Sequence, residues 1–189
     1  NFGAMRVISC SPEQFLHVDA VGHMSSKPIK GTRPRYQDVE ADAAARSELA
    51  ANEKERAENL MIVDLMRNDL GSVAKADSVA VTKLFDVESY ATVHQLVSTV
   101  EAELADGKTA LDAIAAAFPG GSMTGAPKLR AVQLIEGLEN VVGRVGRGVY
   151  SGIAGFLTHG GVADFGMVSL LISHQPTLRD ALKATIEYR

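Results

Sequence analysis

Cysteine is nearly absent from this sequence of 189 residues, in which Cys10 is the only one. A single cysteine cannot form an internal disulfide or, by itself, a cysteine-based zinc site. No apolar run approaches the ~20 residues that a membrane-spanning helix needs. The first residues lack the basic start and apolar core of a signal peptide. We therefore expect a cytosolic, metabolic protein.

Basic residues are also in the minority, with 19 Lys and Arg against 23 Asp and Glu and a net charge of -4. A nucleic-acid-binding domain usually carries a basic stripe, so that class is not favoured. Repeats of fixed period and low-complexity segments are missing, which argues against a solenoid. The chain does have an apolar content of 46% and a charged content of 22%, which are typical of one soluble globular domain.

Apolar spacing predicts both strands and helices. Short β-branched or alternating runs predict strands at residues 5–9 and 78–82. Helical spacing predicts four helices, over residues 42–70 with Gly71 as the stop, over 90–104, through Ala117, and over 128–138.

The remaining segments are shorter and richer in turn residues. An extended stretch at residues 28–29 runs into a turn at Gly31, and another turn is predicted at 106–108. A hairpin is predicted from strands 149–157 and 162–172, and residues 178–188 are compatible with a helix. Together these elements predict an α+β fold in which long helices cover a mostly antiparallel sheet.

Four segments are too specific to be generic: residues 28–35 (PIKGTRPR), 55–71 (ERAENLMIVDLMRNDLG), 118–128 (FPGGSMTGAPK) and 147–152 (RGVYSG). Together and in this order they resemble the chorismate-utilising enzymes, which include the anthranilate, aminodeoxychorismate, isochorismate and salicylate synthases. The resemblance implies the chorismate-binding fold of anthranilate synthase component I. It covers the later part of the family's catalytic domain, so we expect residues 1–189 to be one such domain that lacks its N-terminal region.

Glu55 and Glu58 are three residues apart on a predicted helix, so both carboxylates share one face. Such a pair suits Mg²⁺, although a bare pair of this kind is more often a solvated face. The resemblance implies that both residues help to hold a magnesium ion bound to the ring carboxylate of chorismate.

Thr124 and Gly125 precede a predicted helix start, where free N–H groups attract an anion. Spacing alone leaves a plain turn equally open. The resemblance implies that Thr124 and the Gly125 backbone contact the ring carboxylate. Tyr150 would contact the enolpyruvyl side, and Thr32 is a further expected substrate contact.

Glu13 belongs to residues 11–15 (SPEQF), which resemble a Ser-Pro-Glu-Arg-Phe segment whose glutamate assists departure of the C4 hydroxyl as a general acid. A carboxyl group in a closed site has a raised pKa and can serve in this way. His94 matches a family histidine near the reacting ring, which implies positioning or proton transfer. A helical histidine of this kind is more often structural.

Lys30 separates the branches of the family. Aminodeoxychorismate synthases resemble this chain in having Pro-Ile-Lys-Gly-Thr, whereas anthranilate and salicylate synthases usually have a small residue in place of the lysine. The resemblance implies that Lys30 adds to C2 of the ring as the C4 hydroxyl leaves, after which ammonia attacks C4 and expels the lysine. A plain anion clamp remains the alternative role of Lys30.

Two departures from the family pattern leave other interpretations open. Leu170 stands where the family has an arginine that clamps the enolpyruvyl carboxylate, and Pro176 and Arg179 occupy the places of a second Glu-x-x-Glu. Either residues are missing between 172 and 178, or the chain is an impaired paralogue that only binds a ligand. An anthranilate synthase component is the other alternative. Because Cys10 has no glutaminase motif around it, ammonia is expected from a glutamine amidotransferase subunit.

Overall fold

The computed structural model describes residues 6–9, 11–141, 150–168 and 170–173. The strands are Arg6–Ser9 (β1), Gln14–Val18 (β2), His23–Lys27 (β3), Ile29–Pro34 (β4), Ala80–Ser89 (β5), Val93–Glu103 (β6), Ile153–Leu157 (β7), Ala163–Met167 (β8) and Leu170–Ser173 (β9). The helices are Val39–Ala51 (α1), Glu53–Gly71 (α2), Ala110–Ala117 (α3), Gly121–Thr124 (α4) and Lys128–Val141 (α5). All strand pairs are antiparallel, so the predicted α+β fold is confirmed.

Strand β6 organises the larger sheet because it is paired along both edges. Val100 pairs with Val81 of β5 and with Ser26 of β3, while Val97 pairs with β5 and with Ile29 of β4. Strands β3 and β4 therefore lie end to end along one edge of β6. Strand β2 pairs with β3 and not with β4, so the outer edge of β4 is left without a partner strand among the described residues.

Helices α1 and α2 cover one face of this sheet. Leu49 of α1 packs with Leu96 of β6 in a small core, and Ile62, Val63 and Met66 of α2 belong to a larger core that also includes α3. Successive side chains of a strand point to opposite faces. Because Leu96 faces the helices, Gln95 faces the other side of the sheet.

The predicted helix over residues 42–70 is in fact two helices that meet at Asn52. This residue has non-helical backbone angles (φ -67°, ψ 109°), and its side chain accepts a hydrogen bond from the Glu55 N–H at 3.1 Å. Asparagine competes in this way with the helical backbone and caps the next helix. The Ala-rich pattern on both sides concealed the break.

The predicted helix over residues 90–104 is wrong, because this segment forms β6. Seven consecutive residues of the strand, from His94 to Val100, are buried. A strand buried on both faces shows no polar alternation, so its apolar residues can match helical spacing by chance. The predicted turn at Gly31 is also wrong, since Gly31 lies within β4 at a shift in the register of β4 with β6.

The other predicted elements agree more closely with the structure. The turn at 106–108, the helix that ends at Ala117 and the helix that begins at Lys128 are confirmed, and β7 and β8 form the predicted hairpin. Beyond Met167 the chain leaves that hairpin, and β9 pairs with β1 instead. Strands β2 and β3 and the short helix α4 are additional, and residues 178–188 lie outside the described part. No helix among the described residues is long and apolar enough to cross a membrane.

Candidate functional site

A cavity of about 930 Å³ opens beside the start of β2, where β4 continues without a neighbouring strand. Its lining comes from the entry to β2, from β4, and from the start of β6 with the loop before it. The lining residues are Ser11, Pro12, Glu13, Ile29, Lys30, Gly31, Thr32, Tyr90, Thr92, Val93 and Gln95. Three of the residues that the sequence predicted for the site, Glu13, Lys30 and Thr32, are therefore brought together.

Strand register explains why Glu13 lies beside β4. Gln14, the first residue of β2, pairs with Lys27, the last residue of β3. Antiparallel pairing then carries Glu13 one step further along, past Pro28, where its carboxylate accepts a hydrogen bond from the Ile29 N–H. The residue after Ile29 is Lys30, so a carboxyl group and an ammonium group that attract each other both line the cavity.

Glu13 has a second partner on α4. The Ser122 hydroxyl donates a hydrogen bond of 2.6 Å to Glu13 Oε1. Burial raises the pKa of the Glu13 carboxyl above its ordinary value of 4.5, and the Ser122 hydroxyl, the Lys30 ammonium and the Ile29 N–H offset only part of that rise. A buried carboxyl with a raised pKa is suited to donate a proton.

Gly31 allows β4 to bend beside the cavity. It has a φ of +81° at the point where the register with β6 shifts between Ile29 and Thr32. A Cβ atom at this position would lie 2.8 Å from Leu49 Cδ1 and 3.0 Å from the Glu55 carboxyl carbon. Glycine is therefore required both by the backbone conformation and by the close approach of α1 and α2.

Glu55 and Glu58 do not line the cavity. The Glu55 carboxylate lies 3.9 Å from the Arg33 guanidinium on the helix-covered side of β4, and the Glu58 carboxylate lies 3.6 Å from the Lys54 ammonium. Among the described residues, no group of three or more His, Cys, Asp or Glu side chains could hold a metal ion. Magnesium is often held by one or two carboxylates together with water and substrate oxygens. The two glutamates fit such a partial ligand set and nothing more complete.

His94 also lies away from the cavity. It is a buried strand residue, whereas the sequence predicted a helical one. Its Nδ1 is 2.7 Å from Ser89 Oγ, and its Nε2 is 3.0 Å from Asp42 Oδ1 on α1. Asp42 in turn is bound by Arg35, which together with the Tyr36 N–H and His94 lowers the pKa of Asp42. Both ring nitrogens of His94 are therefore engaged under the helices.

Thr124, Gly125 and Tyr150 lie outside the cavity lining as well. The Thr124 hydroxyl donates to Gly120 O at 3.1 Å, and the Gly125 N–H donates to Gly121 O at 2.9 Å. The two expected donors to a carboxylate are thus used within the turn. Tyr150 is 54% exposed. The roles predicted for these three residues stay predictions.

Sequence reasoning missed two residues with a clear place in the site. Ser122 belongs to the same segment as Thr124, but its contact with Glu13 spans 109 positions in the chain and leaves no local signal. Gln95 follows His94 directly, and only the strand assignment reveals which of the two faces the cavity.

Comparison with known proteins places this chain in a family. The family described as chorismate binding enzyme matches residues 1–176. The chain belongs to the chorismate-binding enzymes. An aminodeoxychorismate synthase of Streptomyces griseus is 55% identical over 168 residues, which is 89% of this chain and 23% of that protein. Aminodeoxychorismate synthase component 1 of Salmonella typhimurium is 49% identical over 158 residues, which is 84% of this chain and 34% of that protein.

A solved structure confirms the chorismate-binding fold. Anthranilate synthase component I from Streptococcus pneumoniae superposes with a TM-score of 0.77 at 33% identity, over 98% of this chain and 43% of that one. The chain spans only about a quarter to a third of the length of the Streptomyces griseus and Salmonella typhimurium relatives.

Proposed function

We propose that the protein acts as the chorismate-binding catalytic part of an aminodeoxychorismate synthase component I. The proposed reaction converts chorismate and ammonia to 4-amino-4-deoxychorismate, a precursor of 4-aminobenzoate. The observation that carries the proposal is the cavity in which Lys30 lies beside a buried carboxyl, Glu13. Relatives of this name that are about 50% identical over most of the chain support it.

In the proposed reaction Lys30 is the nucleophile and Glu13 the acid. After the Lys30 ammonium has given a proton to solvent, its Nζ adds to C2 of the ring, both ring double bonds shift by one position, and the C4–O bond breaks. Glu13 protonates the departing hydroxyl, which leaves as water. Ammonia then attacks C4, the ring double bonds shift back and the bond to Lys30 breaks, so the lysine is regenerated. The new C4 ammonium group returns a proton to Glu13, and the enolpyruvyl group stays attached.

A glutamine amidotransferase subunit is the proposed source of ammonia. The Salmonella relative is called a component 1, a name that supports the existence of a second component. Location in the cytosol also remains part of the proposal.

Magnesium belongs to the proposal through Glu55 and Glu58. They would supply two carboxylate ligands, with the remaining oxygens from water and substrate, and the ion would offset the negative charge of the ring carboxylate. Because neither residue lines the cavity, the test must measure magnesium binding itself. In calorimetric titration with Mg²⁺ in the presence of chorismate, Glu58→Gln should weaken magnesium binding. Unchanged binding in both Glu55→Gln and Glu58→Gln would remove these residues from the proposal.

The proposed function is tested by product analysis of the full protein with chorismate, Mg²⁺ and ammonium. We expect aminodeoxychorismate without release of pyruvate, detected as 4-aminobenzoate after addition of the lyase that completes it. Lys30→Ala should lower the rate on the order of a hundredfold or more, because a covalent step is lost.

Lys27→Ala is the matched control, since Lys27 is a nearby lysine on β3 that does not line the cavity. Its rate should stay within about twofold of the wild type. Anthranilate with pyruvate would identify the protein as an anthranilate synthase, and an absence of product would identify an impaired binding paralogue. Unchanged aminodeoxychorismate formation by Lys30→Ala would remove Lys30 as the proposed nucleophile.

A further inference from the structure

A buried ion pair between Lys128 and Asp69 stands at the base of the loop that carries Ser122. The Lys128 ammonium donates hydrogen bonds to Asp69 Oδ2 and, at 2.7 Å, to Ala117 O. The two charged side chains are only 15% and 8% exposed. A buried ion pair seldom adds much to the stability of a fold, because both charges lose their hydration. Its place in the structure therefore calls for another explanation.

Lys128 holds the two ends of this loop together. Residues 118–127 leave α3 at Ala117 and enter α5 at Lys128, the first residue of that helix. A cation is unfavourable at the N-terminus of a helix and favourable at its C-terminus. The Lys128 ammonium lies at the C-terminus of α3, where it binds one of the last carbonyl groups of that helix. The loop is thereby closed at its base.

One face of α2 supports the same loop. Leu65 and Asp69 are four residues apart on this helix, so both side chains lie on one face. Gly121 approaches α2 so closely that a Cβ atom there would lie 2.9 Å from Leu65 Cδ1. One turn further along α2, Asp69 binds Lys128. The loop is therefore fixed to α2 at two points, and Ser122 directly follows the first of them.

Ser122 is the residue through which this anchoring reaches the cavity. Its hydroxyl donates the 2.6 Å hydrogen bond to Glu13 Oε1, which joins α4 to the entry of β2. Such a hydrogen bond is lost when its two partners move apart by about 1 Å. We propose that Lys128 and Asp69 are positioning residues, which hold the loop so that Ser122 reaches the Glu13 carboxyl. This role rests on the proposed function, in which Glu13 is the acid.

The test is the double variant Asp69→Asn/Lys128→Met of the full protein. It removes both charges together and largely keeps the size of both side chains, so no unpaired buried charge remains and the melting temperature should fall by several degrees at most. A carbon-13 NMR titration should then show the pKa of the Glu13 carboxyl raised to the value found in Ser122→Ala, because the same donor is lost. Combining all three substitutions should raise the pKa no further.

Three further variants separate the position of the loop from charge and from folding. Lys128→Arg keeps a cation with donors for the same two acceptors, and should leave the pKa of Glu13 as in the wild type. Lys75→Met/Glu103→Gln removes an exposed ion pair with an N–O distance of 3.2 Å, and should also leave that pKa unchanged. Lys128→Gln should shift the pKa in the same direction as the double variant, and it decides the outcome if the double variant does not fold.

Two results would overturn the inference. A pKa of Glu13 that stays at the wild-type value in a folded variant without the Asp69–Lys128 pair would show that the loop keeps Ser122 in place unaided. A shift that persists when Ser122 is already alanine would show that the pair acts on Glu13 by another route.

The pH dependence of aminodeoxychorismate formation is the second readout. The pH at which the rate falls as Glu13 ionises should rise in the double variant by the same amount as the pKa. A rate profile that does not move with the pKa would overturn the link between the ion pair and the acid. A wild type that forms no aminodeoxychorismate would sink the proposed function, while the NMR titration would still decide the role of Lys128.

Discussion

Among single residues, Glu13 has surroundings that work against its charge, as Asp69 also does. Burial raises the pKa of the Glu13 carboxyl above 4.5, although Ser122, Lys30 and the Ile29 N–H favour the ionised form. The folded protein therefore holds the Glu13 proton more tightly than the unfolded chain does. Stability must then fall as the pH rises from about 4.5 to the raised pKa of the folded state, and it stays lower above that pKa.

Glu13→Gln removes this charge and should make the protein more stable at pH 7 by a few degrees in melting temperature, with no gain below pH 4. Glu136→Gln, at an exposed position of α5, should change the melting temperature little at any pH. Melting curves between pH 3 and 8 check both variants. A lower melting temperature for Glu13→Gln at pH 7 would show that the carboxylate stabilises the fold.

The Ser122→Ala variant tests the surroundings of the Glu13 carboxyl independently. Loss of the 2.6 Å hydrogen bond removes a donor that favours the ionised carboxylate, so the pKa of Glu13 should rise further. A carbon-13 NMR titration of the Glu13 carboxyl measures this directly. If the Glu13 carboxyl of Ser122→Ala has the same pKa as in the wild type, the Ser122 hydroxyl has no influence on it.

Residue identity predicted part of the site and could not predict the rest. Glu13, Lys30 and Thr32 lie in two short segments, and their meeting follows from the antiparallel pairing of β2 with β3. Gln95 and Ser122 carry no such signal. Choosing between His94 and Gln95 requires the direction of each side chain, which depends on whether the segment is a strand or a helix.

At the scale of elements, Asn59 of α2 connects the helix layer to the place where β3 passes into β4. Its Nδ2 donates to Pro28 O at 3.1 Å, and its Oδ1 accepts from the Ser98 hydroxyl of β6. The Ser98 hydroxyl also accepts from the Phe85 N–H at 3.0 Å, where the register of β5 shifts. One buried amide thus satisfies polar groups of α2, the β3–β4 junction and β6.

Asn59→Ala should lower the free energy of unfolding by about 2–4 kcal/mol, because Pro28 O and the Ser98 hydroxyl lose a buried partner. Lys54→Ala, at a position on the same helix where the side chain is 79% exposed, should cost no more than about 0.5 kcal/mol. Urea denaturation of both variants measures the difference. Equal midpoints for the two would show that the network contributes little.

The helices and strands were predicted correctly where Pro and Gly residues mark their ends, and incorrectly where apolar residues at helical spacing concealed a break or a strand. The Pro and Gly residues that separate α3 from α5 made both helices predictable. The break at Asn52 and the buried strand β6 were missed, because each is surrounded by apolar residues at helical spacing.

For the whole molecule, the family follows from the order of four short segments, whereas the site depends on contacts between distant parts of the chain. The cavity at the edge of β4 exists because β2 begins beside the end of β3 and does not extend along β4, a feature of topology that no local pattern encodes. In the proposed enzyme the nucleophile, Lys30, lies on β4 and the acid, Glu13, lies just before β2.

The most direct test of this account is mass spectrometry of the protein after brief incubation with chorismate in the absence of ammonia and an acid quench. Addition of Lys30 to C2 with loss of the C4 hydroxyl as water predicts an adduct equal to chorismate minus one water, on the peptide that contains Lys30. Lys30→Ala should lack the adduct, and Lys27→Ala should retain it. An adduct on another residue, or aminodeoxychorismate formed by a protein that never carries one, would contradict the central role of Lys30.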